Sequence, residues 1–319
     1  MKHRLAAVLV GLLCMAVIAV GCAPKQVLLT VGTGGTAGVY YPLGTQMARI
    51  WNENIKGMNA TAISTGASAA NARAIQKGEQ QLALAQNDIS FYALNGMEMF
   101  SKDGKLTKLK GICGLYPEVI QVVSLKSANI NSIADLRGKR VAVGAPGSGT
   151  EANARQILEA WGLKYTDLAK ADYLSFAEAA ANLKDGHIDA AFITAGVPTS
   201  AVQEIAATHP LTIVPVTGAN VIPLKTKYPF YTAVNIPAGI YKGQDSAIET
   251  VAVLAMLVVS ADLDEKVVYN LTKALFENLP TLGKAHARGN DVKLEKALEG
   301  MSLPVHPGAK KYFDEKKVK

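Results

Sequence analysis

Short runs of branched apolar residues alternate with amphipathic segments along most of this chain of 319 residues. Residues 27–31 have the length and composition of a buried strand, residues 32–38 form a glycine-rich turn, and residues 41–54 place apolar side chains on one helical face. The same succession returns, with strands predicted at residues 59–65, 82–86, 140–144, 188–193 and 211–216. Repeated strand–helix units predict an α/β protein with open, mostly parallel sheets.

Two further segments divide the predicted units into two groups. Residues 112–125 look like a strand that leaves one lobe for another, and residues 231–235 look like a strand that returns. Two groups joined by crossing strands predict two lobes with a ligand cleft between them. The predicted division assigns residues 27–118 and 225–319 to lobe 1 and residues 119–224 to lobe 2.

The last third of the chain is predicted to be helical, with helices at residues 246–260 and 263–279. Its apolar run at residues 251–259 is too short to span a membrane, and Glu249 and Asp262 flank it closely. This run is therefore predicted to be a buried core helix.

The start of the chain has the features of a secretion signal. A positive segment with Lys2 and Arg4 precedes an apolar segment at residues 5–20, and residues 19–22 resemble a bacterial lipobox. We expect residues 1–21 to be a signal peptide, and residues 22–26 to be a lipid anchor and tether acylated at Cys22, which places the protein at the membrane on the periplasmic or cell-surface side. An ordinary signal peptide followed by an uninvolved cysteine is the alternative.

Composition excludes several classes of function. The formal net charge is +7, without the basic stripe of a nucleic-acid-binding protein. Apart from Cys14 and Cys22, only Cys113 is present, so neither a disulfide framework nor a cysteine-ligated metal site is expected. No metalloprotease or nucleophile-elbow motif occurs, so the chain is predicted to be neither an enzyme nor a cofactor carrier.

Ligands of open α/β sheets sit beyond the carboxyl ends of the strands. The loops that follow predicted strands are residues 32–40, 65–71, 86–90, 144–151 and 194–199. Glycines leave backbone N–H groups uncovered, and the helix that follows presents its positive end, a combination that binds carboxylate or phosphate oxygens. Loops 32–40 and 144–151 fit this description, and Tyr40 adds a hydroxyl group to the first of them.

Some of these loop residues allow other interpretations. Residues 32–37 match a dinucleotide fingerprint, but the acid expected at the end of the second strand is missing. Ser68, Asp88, Thr150 and Thr199 can also cap the helices that follow them. An Asp88 that points into the cleft instead pairs with a ligand ammonium group, with Gln86 as a hydrogen-bonding neighbour.

Four segments in order resemble the motifs of the TAXI family, the solute receptors of tripartite ATP-independent periplasmic (TRAP) transporters. They are residues 31–44, residues 65–71, residues 86–88 and residues 144–151, and the resemblance covers about residues 27–280. The resemblance implies a two-lobed periplasmic-binding-protein fold, type II-like, that closes on glutamate or a related amino acid or dicarboxylate.

The resemblance also implies which residues contact the ligand. They are Gly35, Thr36, Tyr40, Thr65, Ser68, Gln86, Asp88, Ser148, Thr150 and Thr199. Asn87 departs from the family pattern, which has Ser more often, and the difference bears on ligand choice.

The predicted function is delivery of a small acidic metabolite to a TRAP-type membrane permease, by a monomer that binds neither nucleic acid nor metal. A binding protein of the same fold that serves an ABC importer is an alternative. A secreted α/β enzyme is a second alternative, and turnover of the bound compound would distinguish it.

Overall fold

The structure is a computed structural model that describes residues 26–318. The predicted signal peptide at residues 1–21 and Cys22, the predicted lipid attachment site, lie outside the described residues. Of the tether at residues 22–26, only Gln26 is described. The signal peptide and the lipid anchor therefore stay predictions.

Ten strands form one continuous sheet within the described residues. They are β1 (Val27–Gly32), β2 (Met58–Ile63), β3 (Leu82–Gln86), β4 (Leu109–Leu125), β5 (Arg140–Ala142), β6 (Lys170–Asp172), β7 (Ala190–Ala195), β8 (Leu211–Val214), β9 (Thr232–Ile236) and β10 (Ile248–Ser260).

Ten α-helices accompany these strands between residues 26 and 318. They are α1 (Tyr40–Asn54), α2 (Ser68–Lys77), α3 (Asn87–Asn95), α4 (Gly149–Ala160), α5 (Phe176–Lys184), α6 (Ser200–Thr208), α7 (Val221–Lys227), α8 (Glu265–Glu277), α9 (Leu279–Ala285) and α10 (Pro307–Glu315). The side chains of Ser148, Ser175 and Asp264 accept hydrogen bonds from the first turns of α4, α5 and α8, which fixes where these helices begin.

The strand order is β2-β1-β3-β10-β4-β7-β5-β6, with β8 paired to β4 and β9 paired to β10. Strands β1 to β3 pair in parallel, as do β5, β6 and β7, because helical connections return the chain to the same end of the sheet. Strands β4 and β10 run antiparallel to their neighbours and join the two parallel groups. The predicted α/β fold class is confirmed.

Strand β4 crosses from one group of strands to the other. Its first part pairs with β10, and its second part, from Val119 onward, pairs with β7 and β8. The crossing strand predicted at residues 112–125 is therefore confirmed, and it begins three residues earlier, at Leu109. The predicted assignment of residues 27–118 and 225–319 to lobe 1, and of residues 119–224 to lobe 2, stays a prediction. Its first boundary falls inside β4.

The helix predicted at residues 246–260 is wrong, because this segment forms strand β10. An apolar run of this length suits either a buried helix or a strand covered on both faces. Strand β10 lies between β3 and β4 near the middle of the sheet, and from Thr250 to Ser260 every residue except Leu254 is buried. The long partner strand β4 therefore selects the extended conformation.

Helix α1 buries the apolar face predicted for it. Leu43, Met47, Ile50 and Trp51 are all buried, and the Trp51 indole N–H donates to the Leu271 carbonyl at 3.0 Å. This bond ties α1 to α8 and fixes the direction in which the first glycine-rich loop enters the helix. Within residues 26–318, no helix has the length and apolar character needed to cross the bilayer.

Candidate functional site

A cavity of about 80 Å³ lies where the loops at the carboxyl ends of β1, β2, β3 and β7 meet the loop that precedes α4. Seven of the ten predicted contact residues line it, namely Gly35, Tyr40, Thr65, Ser68, Gln86, Ser148 and Thr150. The other three, Thr36, Asp88 and Thr199, lie outside its lining. The cavity therefore brings together residues that are more than 100 positions apart in the chain.

Backbone contacts hold the two sides of the cavity together. The N–H groups of Ala69 and Ala70, in the first turn of α2, donate to the Gly147 carbonyl at 3.0 and 3.2 Å. On another edge, the Ala201 N–H donates to the Ala37 carbonyl at 3.3 Å. These bonds join the first three strand–helix units to loops of the second group, so the structure is closed over the cavity.

The first glycine-rich loop contributes an open wall and a tyrosine. No atom lies within 4 Å of the position that a side-chain carbon at Gly35 would occupy, so this wall faces empty space. Tyr40 is buried, and its hydroxyl group donates to Oε2 of Glu118 at 3.0 Å. Thr36 is exposed to solvent on the outside of the loop, so its predicted contact with ligand is not supported by the geometry.

The second loop lies beside the first. The Thr65 hydroxyl donates to the Thr33 carbonyl at 2.8 Å and accepts from the Ala67 N–H at 3.0 Å, which shapes the turn before α2. Ser68 is buried at the start of α2, and its hydroxyl oxygen accepts from the Gln86 N–H at 3.2 Å. Both side chains line the cavity, although their hydroxyl groups already have protein partners.

Gln86 ends β3 and points toward the start of α4. A side-chain carbon on Gly149 would overlap the Gln86 amide group, so the glycine is what allows this close approach. The Gln86 side chain is 2 % exposed, and its Oε1 has no hydrogen-bond partner among the described residues. A buried carbonyl oxygen without a partner is an acceptor available to a ligand.

The loop before α4 supplies the donors on the facing side. Ser148 caps the helix by accepting from the Glu151 N–H at 3.2 Å, and its hydroxyl group donates to the Ala145 carbonyl at 2.7 Å. The N–H groups of Gly149 and Thr150 precede the first helical hydrogen bonds and have no acceptor within the described part of the chain. They lie at the positive end of a helix of 12 residues, a geometry that favours a carboxylate.

Glu118, which the sequence interpretation missed, is the acid of this cavity. It lies on the crossing strand β4, is 3 % exposed, and accepts from the Tyr40 hydroxyl at 3.0 Å and, weakly, from the Tyr116 hydroxyl at 3.5 Å. Burial raises the pKa of Glu118 from 4.5 to about 8, partly offset by the hydrogen bond from Tyr40. The available signal was a single acid within a mostly apolar strand.

Asp88 is not among the residues that line the cavity, and partners within the protein occupy its carboxylate, so this geometry gives no support to its predicted pairing with a ligand ammonium group. Its Oδ1 accepts from the Ile89 N–H at 2.8 Å and its Oδ2 from Asn153 Nδ2 at 3.0 Å. Asn153 also donates to the Tyr231 hydroxyl group at 2.9 Å. Asp88 is therefore the start of a buried polar network between α3, α4 and the segment that enters β9.

Replacing Asp88 by Asn is expected to leave the dissociation constant of a ligand bound in the cavity within about threefold of the original value. Relative to the original protein, the variant should also gain about 2 kcal/mol more unfolding free energy at pH 7 than at pH 4. Burial raises the pKa of Asp88 from 3.8 to about 6, so the charged form that prevails at pH 7 is costly in the folded state. Calorimetric titration and urea unfolding at both pH values measure the two quantities. A tenfold loss of ligand affinity would indicate that Asp88 contacts the ligand.

Thr199 is also displaced from the cavity by a buried network. Its hydroxyl group donates to the Gly196 carbonyl at 2.8 Å and accepts from Gln121 Nε2 at 2.9 Å, while its N–H donates to the Tyr241 hydroxyl at 2.9 Å. Five residues before it on β7, Thr194 lines the cavity instead, with a buried hydroxyl oxygen that has no partner among the described residues. The predicted loop at residues 194–199 therefore reaches the cavity through Thr194, whereas Thr199 lies outside the cavity lining.

Among residues 26–318, no group of three or more His, Cys, Asp or Glu side chains is placed to hold a metal ion. Cys113 is buried, and its burial raises the pKa of the thiol, so it is unsuited to act as a nucleophile. The arrangement has the chemistry of a binding site, with donors on one wall and acceptors on the other.

A two-lobed α/β fold closed over a small cavity between its lobes defines the periplasmic-binding-protein class of folds. The chain belongs to the NMT1-like family, which it matches over residues 31–316.

Solved structures with the same fold differ widely from this chain in sequence. One described as a periplasmic transporter is 15 % identical, with coverage of 93 % of this chain and 94 % of the other and a TM-score of 0.54. PhnD1 from Prochlorococcus marinus (MIT 9301), in complex with methylphosphonate, is 12 % identical, with coverage of 91 % and 96 % and a TM-score of 0.53. A protein from Bordetella bronchiseptica RB50 is 16 % identical, with coverage of 92 % and 82 % and a TM-score of 0.53.

Proposed function

We propose that this protein is an extracytoplasmic solute-binding protein that captures a small carboxylate metabolite, glutamate or a related amino acid or dicarboxylate, between its lobes. The observation that carries the proposal is the closed cavity of about 80 Å³, whose walls come from loops of both groups of strands. A site built in this way opens when the lobes separate, and a ligand that contacts both walls shifts the population toward the closed state.

The carboxylate group of the ligand is assigned to the wall made by α4. The residues that carry the free N–H groups, Gly149 and Thr150, line the cavity there, and the buried Thr150 adds a hydroxyl group. Backbone donors fixed at a helix end need no rearrangement to accept an anion, so they bind it without a cationic side chain.

The transporter partner follows from sequence motifs. The four segments that resemble the TAXI family support delivery to a TRAP-type permease, and the predicted acylation of Cys22 supports attachment to the membrane beside it. The protein acts as a monomer in this proposal, because each lobe contributes its own wall of the site.

A thermal-shift screen with glutamate, glutamine, aspartate, 2-oxoglutarate and succinate tests the proposed function. A ligand present at about a thousand times its dissociation constant stabilises the folded state by about 4 kcal/mol, which gives a clear shift. We expect at least one of these acids to produce it.

Two neighbouring substitutions make the screen specific for the cavity. Gly35→Leu fills open space inside it and should abolish the shift, whereas Thr36→Leu changes an exposed neighbour and should retain it. Two results would contradict the proposed function. One is a thermal shift that persists in the Gly35→Leu variant, and the other is the lack of a shift in the original protein with every compound of the screen.

A further inference from the structure

The polar atoms of the cavity are divided into two groups of opposite hydrogen-bonding character. The wall formed by α4 presents N–H donors, as described above. The opposite wall presents acceptors, namely the Glu118 carboxylate, Gln86 Oε1 and the Thr194 hydroxyl oxygen. Gln86 Oε1 and Thr194 Oγ1 are buried and have no partner within residues 26–318; a ligand donor would satisfy the Gln86 oxygen, and the Thr194 hydroxyl oxygen can accept from the same donor group.

Sheet pairing places the three acceptors close to one another. Thr194 on β7 pairs with Ile120 on β4, and residues 118 and 120 share a face of that strand because side chains alternate. Gln86 pairs with Ala255 on β10. Two residues earlier on the same strand, Val253 pairs with Glu118. The strand that carries Thr194, β7, is therefore adjacent to the Glu118 strand β4, and the strand that carries Gln86, β3, is separated from β4 by β10 alone.

The charge of this wall has no counterpart in the protein. Among the described residues that line the cavity, none is Lys, Arg or His, and Glu118 is the one carboxylate. A buried carboxylate is costly unless a positive charge or several donors compensate it. Its neutral donors are the Tyr40 hydroxyl at 3.0 Å, the Gln86 side-chain amide, and the Tyr116 hydroxyl at the long distance of 3.5 Å.

We propose that Glu118, Gln86 and Thr194 form a subsite for the ammonium group of the ligand, so that the protein selects amino acids over the same acids without an amino group. This inference rests on the proposed function, because the α4 wall holds the carboxylate while the subsite holds the amine. An ammonium group has three donors and one positive charge, which matches three acceptors and the negative charge that Glu118 takes on when it ionises beside the ligand. A dicarboxylate would instead place a second anion beside Glu118.

Calorimetric titration with matched pairs of probes tests the subsite. The pairs are glutamate with glutarate, aspartate with succinate, and leucine with 4-methylpentanoate, and n-butylamine serves as an amine without a carboxylate. We expect at least one amino acid to bind about a hundredfold more tightly than its partner acid.

Variants assign that preference to the named side chains. Glu118→Gln should reduce the preference for an amino acid, expressed as the ratio of the dissociation constants of the partner acid and the amino acid, to below about threefold. Glu79→Gln, at an exposed glutamate, should leave this ratio unchanged. Thr194→Val keeps the shape of the side chain. It should weaken the binding of the amino acid about tenfold without weakening the binding of the partner acid. This second variant provides the test if Glu118→Gln does not fold.

The outcomes separate the subsite from the proposed function. Equal binding of amino acids and their partner acids overturns the subsite and leaves the proposed function standing. Binding of n-butylamine without binding of any acid supports the subsite and contradicts the proposed function. Binding of none of the probes overturns both.

Discussion

Replacement of Glu118 by Gln is expected to stabilise the ligand-free protein by about 3 kcal/mol at pH 7, rising toward about 5 kcal/mol above pH 8. Burial raises the pKa of Glu118 from 4.5 to about 8, so the folded state holds a proton that the unfolded state releases. The stability contributed by the protonated acid is complete below pH 4.5 and is lost as the pH rises toward 8. Gln carries no ionisable group and avoids this loss, while its amide oxygen can still accept from Tyr40.

Urea unfolding of both proteins at pH 4.5, 6 and 8 measures the effect. The difference in unfolding free energy between the variant and the original protein should be close to zero at pH 4.5, and it should increase at pH 6 and again at pH 8. Tyr40, Tyr116 and Asp88 also act on Glu118, but they are the same in both proteins, so their own titrations cancel to first order. Glu79→Gln should show no such trend, and a Glu118→Gln advantage that is independent of pH contradicts the raised pKa.

A gain in stability together with a loss of ligand preference is the pattern expected of a functional residue. A buried acid without a cationic partner destabilises a protein, and its presence in the cavity is explained if the ligand provides that partner. The pH dependence of stability thus gives evidence on Glu118 that does not require the ligand to be known.

The Gly149→Ala variant is expected to lose at least about a hundredfold in affinity for its ligand while keeping its fold. Alanine is a better helix former than glycine by about 1 kcal/mol, so α4 itself tolerates the change. The added carbon overlaps the Gln86 amide, which is buried and has only the cavity to move into. The displaced amide then occupies ligand space or keeps the lobes apart.

A double-mutant cycle identifies the cause of this loss. Calorimetric titration of Gly149→Ala, Gln86→Ala and the combined variant gives the three affinities, and thermal unfolding checks that each protein is folded. If the overlap with Gln86 is responsible, the combined variant binds no more weakly than Gln86→Ala alone. Additive losses would show that Gly149 matters for another reason, such as the approach of the ligand carboxylate to the helix end.

The sequence located the site by its loops and was less successful with individual side chains. Loops at the ends of predicted parallel strands meet at one edge of the sheet, and seven of the ten predicted residues do line the cavity there. Asp88 and Thr199 are turned away by Asn153 and Gln121, which come from distant parts of the chain. A single sequence gives no information about such partners, so it cannot separate a ligand contact from a buried structural bond.

What the sequence determined by itself is the order of strand–helix units and the positions of the glycine-rich loops, because hydrophobic periodicity and turn chemistry act over a few residues. What the tertiary structure decided is the strand conformation of β10 and the role of Glu118. Both depend on β4, which pairs with β10 along one part and with β7 along another, and thereby carries its one acid into the cavity. Pairing between segments so far apart in the chain is a property of the folded sheet, since no local pattern in either segment specifies its partner.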